Sequence, residues 1–181
     1  MDYKTKPTSR KILRNNAKTF RQLFGFNETE PFDPLIALEK LPDVFTGCTY
    51  QIIDDDEFDR NASKNEMSFC VQNYECEGYS IYIRESVYTA AYRYKDGAKL
   101  GFICHELCHV YLLSLGFSPL SSQGYPENVI PAYCSMEWQA KALSGEVMLP
   151  YEATIGMTAE TMHVTVGGGN TSVTHGDRYL M

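Results

Sequence analysis

The stretch LGFICHELCHVYLLSL, Leu100 to Leu115, is an apolar run interrupted by one cluster of polar groups, His105, Glu106 and His109, and followed by Gly116 and Pro119. An apolar run of this length, closed by glycine and proline, reads as a buried helix. On such a helix two residues four apart differ by about 40° in azimuth and about 6 Å in rise, so the imidazoles of His105 and His109 can reach one ion beside the helix. Glu106 is turned by about 100° from His105. It would reach a water held in the site without binding the ion, which is the position a general base needs.

Outward from this helix the pattern defines the rest of an α+β domain. Before it, Val87 to Tyr94 reads as a shorter helix. Earlier still, Thr49–Ile53, Met67–Val71 and Tyr79–Ile83 are rich in β-branched and aromatic residues and separated by polar stretches, which predicts a small antiparallel sheet. Tyr79–Ile83 could present an edge to which a peptide adds as a further strand, or serve as a core strand with Ile81 and Ile83 inward. The acidic stretch Asp54 to Asp59 lacks the glycine and spacing of a calcium loop and reads as a solvated turn.

Near the start, Ile12, Leu13, Ala17, Phe20, Leu23 and Phe24 fall at helical spacing, with Gly25 closing the run. Asp33 and Pro34 open a second short helix that Pro42 should end. After the central helix, a loop rich in Ser, Gly, Pro and Asn spans about 118–131, and a helix follows from Ala132 to Met148, stopped by Pro150. Gly167-Gly168-Gly169-Asn170 reads as a turn or frayed tail. The chain of 181 residues suits one domain, with residues 1–42 supplying helices, 43–84 the sheet, 85–150 the metal-site helices and 151–181 a terminal region.

Charge narrows the function classes. The net charge of −7 argues against general affinity for nucleic acid or anionic membranes. Residues 1–21 nevertheless carry seven basic side chains against Asp2 alone, a local +6 that leaves −13 elsewhere. A basic helix with its charges solvated or facing carboxylates accounts for this split, with a nucleic-acid arm as the alternative. Neither a membrane-spanning run nor a signal-peptide h-region is present, so the sequence suggests a cytoplasmic protein whose six cysteines stay reduced.

A catalytic zinc needs a third protein ligand. Glu127, Glu137, Glu146 and Glu152 are the downstream candidates, and Glu137 stands near the start of a helical stretch, 28 residues after His109. Spacing alone does not separate a ligand from a surface glutamate. Cys104 and Cys108 raise a competing mixed site, with Cys134 as a further donor. Their stripe, however, is turned about 100° from the histidine stripe, so one helix cannot wrap all four groups round an ion. For stabilising an oxyanion the candidates are Tyr125, Tyr133, Tyr151, His163 and His175, and no spacing selects one.

EWQAKALSGEVMLP, Glu137 to Pro150, resembles the second signature of the ImmA/IrrE metallopeptidases, written E-x-E-A-N-x-F-A-x-x-L-L-M-P, and CHELCH at 104–109 is similar to that family's A-H-E-L-G-H. The resemblance covers roughly Tyr79 to Pro150. It implies a zincin-like domain in which His105, His109 and Glu137 bind one zinc ion and Glu106 is the catalytic base. It further implies an endopeptidase whose partner is a protein substrate, a helix-turn-helix repressor of a mobile element or phage, with no direct contact to nucleic acid. Departures from the family pattern are Cys104, Cys108, Gln139, Lys141, Leu143 and Ser144, none at a ligand position. A protein that captures a repressor without cutting it, or one with a structural zinc, are the alternative readings.

Overall fold

A computed structural model describes residues 2–62, 65–73, 77–117, 130–154, 163–166 and 169–172. The first helix, α1 (Arg10–Leu23), starts at Ser9, whose hydroxyl accepts from the Ile12 amide, and buries Leu13, Ala17, Phe20 and Arg21. Gly25 ends it with φ +82°, a conformation that costs other residues a steric penalty. Asp33 caps α2 (Pro34–Glu39) by accepting from the Leu35 amide at 2.9 Å. Pro42 does not follow a longer helix. It lies in the first turn of α3 (Leu41–Val44), where a missing N–H costs nothing.

The sheet is mixed, not antiparallel. Its strands β1 (Thr49–Ile53), β2 (Ser68–Asn73) and β3 (Gly78–Arg84) lie in the order β1-β3-β2, with β1 parallel and β2 antiparallel to β3. The cause is the acidic stretch, which is a helix and not a turn. Asp54 caps α4 (Asp55–Asn61), accepting from Asp56 and Glu57, and three acids fill the first turn, where the helix dipole favours them. This helix seats Phe58 in the interior and stands between β1 and β2, so the two need not form a hairpin. Where β3 begins, Gly78 lies so close to the backbone that a Cβ would meet Gly47 O at 2.2 Å.

Strand β3 is therefore central and has no free edge. Ile81 and Ile83 are fully buried, which makes it the core strand. The outer strand beside the metal-site helix is β2. Helix α5 (Glu85–Tyr94) leads through Lys95, in the left-handed region, and Asp96, which caps α6 (Gly97–Ser114) by accepting from Ala98 and Lys99. After a 3-10 turn at Ala132–Cys134 comes α7 (Met136–Met148). The predicted helix from Ala132 is thus broken at Ser135, whose extended backbone and side chain cap α7. The short α8 (Tyr151–Thr154) follows, and then an antiparallel pair, β4 (His163–Val166) and β5 (Gly169–Ser172), so Gly169 and Asn170, read as part of a turn or frayed tail, lie in a strand. Gly167 and Gly168 lie outside the described residues, as does most of the loop predicted at 118–131.

Helix α6 is flanked by α2, α5, α7 and the sheet and meets α1 through the Phe20–Tyr111 ring contact, and Ile103, Leu107, Val110 and Leu112 are buried in the common core. The basic helix α1 packs on α7 with its cations answered by acids and aromatic rings. Arg14 bonds Glu146 through two nitrogens at 3.3 and 3.4 Å and lies over Tyr151, and Lys18 pairs with Glu28. Arg21 is buried outright, donating to the carbonyls of Asn27, Glu30 and Val147. Among the described residues, no helix is long and apolar enough to cross a membrane.

Candidate metal centre

Two helices bring three side chains to one point. His105 and His109 project from one side of α6, and Glu137 from the first turn of α7, which the Ser135 cap aims at α6. His105 Nε2 lies 3.0 Å from His109 Nε2 and 3.2 Å from Glu137 Oε2, while Glu137 Oε1 lies 3.4 Å from His109 Nε2. Among the described residues this is the group whose donor atoms converge well enough to hold a metal ion. Two imidazole nitrogens and a carboxylate each offer an electron pair, so their convergence suits a cation held between them. Bonds from the two imidazoles hold the Glu137 carboxyl far below its ordinary range, charged and ready to ligate.

Glu106 lies on the neighbouring flank of α6. Its side chain is 6% exposed, and Ser68 Oγ, at the start of β2, donates to Oε1 at 3.0 Å. Burial raises its pKa to about 7, against the opposing pull of His105 and the Ser68 hydroxyl. A carboxyl poised near neutrality can both take and return a proton. The cavity in front of these groups holds about 590 Å³ and is walled by Met67 and the start of β2 to Cys70, by Phe102, by Lys141 and by Tyr3.

The cysteines raised as competing ligands, Cys104, Cys108 and Cys134, belong elsewhere. Cys104 and Cys108 are fully buried on the core side of α6, and Cys134 is buried as well. Burial and the neighbouring Cys104 push the Cys108 thiol well up, which disfavours the thiolate that a metal requires. The described cysteines are free, and Cys76 lies outside the described residues. Of the other carboxylates, Glu146 is engaged with Arg14, while Glu127 and the side chain of Glu152 lie outside the described residues. Neither Tyr133 nor Tyr151 lines the cavity: the first is half exposed and the second lies under Arg14. Tyr125, His175 and the side chain of His163 lie outside the described residues.

Two site residues escape a reading of the sequence. Ser68 is an ordinary strand residue until register places it beneath Glu106. Tyr3 sits in a polar segment with no periodic signal, and its position follows from backbone pairing with residues more than a hundred positions away. No protein-family model, curated protein or solved structure matches the chain.

Proposed function

We propose that the protein is a zinc endopeptidase of the ImmA/IrrE kind, with a zincin-like site in which His105, His109 and Glu137 hold the metal and Glu106 is the base. The observation that carries this reading is the meeting of two Nε2 atoms and one carboxylate within hydrogen-bonding distance beside a buried glutamate. Two imidazoles and one carboxylate suit zinc, and leave a coordination position for water. When bound, zinc makes a neighbouring water easier to deprotonate and draws electron density from the scissile carbonyl. Glu106 takes the proton of the attacking water while Ser68 holds Oε1, and then delivers it to the amine nitrogen that leaves. The water thus gives its oxygen and one proton to the new carboxyl group and its other proton, through Glu106, to the leaving amine.

The substrate is a peptide in extended form. Strand β2 borders the cavity, and no further strand pairs with its outer side among the described residues, so a peptide can add there through main-chain bonds. On the family resemblance the substrate is a repressor with a helix-turn-helix domain, which puts the reaction in the cytoplasm. Replacing Glu106 by Gln is the test. The variant should retain zinc, measured by elemental analysis, and lose cleavage by at least about 100-fold. A variant that cleaves as the parent does would overturn the assignment. One that loses cleavage but still relieves repression in cells would favour capture without proteolysis.

A further inference from the structure

The segment before α1 is stitched along the chain that leads into α7. Asp2 Oδ2 accepts from Ser135 Oγ at 2.8 Å and Oδ1 from the Glu137 amide at 3.1 Å. The Met136 amide donates to Tyr3 O, Lys4 bridges to Ser135, and the amides of Thr5 and Thr8 donate to Cys134 O and Tyr133 O. From inside, Gln139 Nε2 donates to Lys6 O at 2.8 Å and to Tyr133 O at 2.9 Å. Gln139 is fully buried, and a carboxylate in its place would set an ionised oxygen against both carbonyls. The glutamine that departs from the family signature is thus the residue type that this strap requires.

The strap carries one aromatic side chain into the metal-site cavity. Tyr3 is bonded through its carbonyl to the residue just before Glu137, and its side chain packs partly buried against the core. It shares the cavity wall with β2, and the groups that act on its phenol are Cys70 and Tyr79 on the sheet side and Glu137 and Asp2 on the α7 side. Tyr3 therefore lines one cavity together with the metal ligands and the strand on which a peptide would lie. At neutral pH it keeps its proton and is a donor.

We infer that Tyr3 is a substrate-contacting residue of this centre, its phenol donating a hydrogen bond to the scissile carbonyl oxygen as negative charge gathers there, and that Asp2 and Gln139 are positioning residues that hold it in place. The inference rests on the peptidase reading for its reaction. Preorganised donors aimed at developing charge act most strongly where water is excluded, and a strap pinned at six of its residues loses little freedom on binding. No proton is transferred by Tyr3; the bond strengthens from substrate to tetrahedral state.

The test uses Tyr3→Phe in the zinc-loaded full chain, with fluorescein-labelled casein as the cleavage probe and an N-phosphoryl-leucyl dipeptide as the tetrahedral mimic. Expected are an unchanged zinc content and melting temperature, a kcat lowered about 100-fold with little change in KM, and a mimic bound about 10- to 100-fold more weakly. Gln139→Glu should raise amide exchange at Thr5 and Thr8 and lower kcat without loss of zinc, and Asp2→Ala, which removes both acceptors, should do the same. Parental kcat and mimic affinity in Tyr3→Phe, in a protein whose cleavage depends on Glu106, would overturn the role of Tyr3 alone. Absent casein cleavage by the parent, with mimic binding that still weakens in Tyr3→Phe, would remove the peptidase reading and leave Tyr3 as an anion-contacting residue. A fall in zinc content or melting temperature that accounts for the whole loss would reduce Tyr3 to a structural wall and overturn the inference.

Discussion

Replacing Glu106 by Gln should make the metal-free protein more stable above neutral pH while abolishing its chemistry. The carboxyl moves from an ordinary 4.5 to about 7 because it is buried, with Ser68 as its hydrogen-bond partner. At about 1.36 kcal/mol per decade, that displacement corresponds to roughly 3 kcal/mol. The sign follows from proton uptake. Between pH 4.5 and about 7 the folded chain keeps a proton on Glu106 that the unfolded chain has lost, so stability falls as pH rises through this window. The loss is complete above about pH 7 and absent below the unfolded value. Glutamine has nearly the same shape and can still accept from Ser68, but carries no charge to desolvate. Urea denaturation of chelator-treated protein at pH 4.5 and pH 8 is the assay. The variant should match the parent at the lower pH and exceed it by about 3 kcal/mol at the higher, a rise of roughly 6 to 12 °C in melting temperature for a chain of this size. A stability difference that does not change between the two pH values would refute the claim that burial of an ionised Glu106 strains the fold.

Glu137→Gln should weaken zinc by at least about 100-fold in competition with a chromogenic chelator, since it removes the one anionic ligand; unchanged affinity would mean that the third ligand is another group. Cys104→Ala and Cys108→Ala should leave zinc content untouched and cost about 1 kcal/mol each in urea denaturation, because both thiols fill core volume; loss of metal would revive a cysteine-ligated site. Arg21→Met should lower stability by about 3 kcal/mol with no change in zinc affinity, as three carbonyls lose a buried charged donor; a neutral result would show that those carbonyls find other partners.

The parts of this molecule legible in its sequence are those governed by local periodicity. Spacing on one helix was enough to pair His105 with His109 and to turn Cys104 and Cys108 away from them, and burial follows that division residue by residue. Glu137 was not separable from other glutamates by spacing, because its place depends on how α7 docks on α6, a tertiary fact. The acidic stretch after β1 misled for a reason that is itself local. Asp55, Asp56 and Glu57 look like a solvated turn by charge, yet behind an Asp54 cap they are favourable first-turn residues. Strand polarity was missed with it, since a helix between β1 and β2 is what permits a parallel pair. Tyr3 and Ser68 carry no pattern at all, and only long-range register brings them to the site.

The centre gathers electron pairs and a buried carboxyl side by side, and both features point to coupling between metal and fold. Three electron-pair donors converge at 3.0 to 3.4 Å, which concentrates lone pairs at one point. Beside them a carboxyl with an ordinary pKa of 4.5 is held where ionisation is resisted up to about pH 7. A dication offsets both terms, by accepting the three electron pairs and by favouring an ionised Glu106 nearby. Its ligands lie on two helices whose mutual position is set by a shared core with α1, and the strap that closes the cavity is tied to the same α7 N-terminus. Metal binding should therefore tighten the α6–α7 contact and the strap together, so that added zinc slows amide exchange at Thr5 and Thr8 as well as in α6. Protection confined to α6 would mean that strap and metal site are energetically independent, and the common anchoring at Ser135 and Glu137 would then be geometric only.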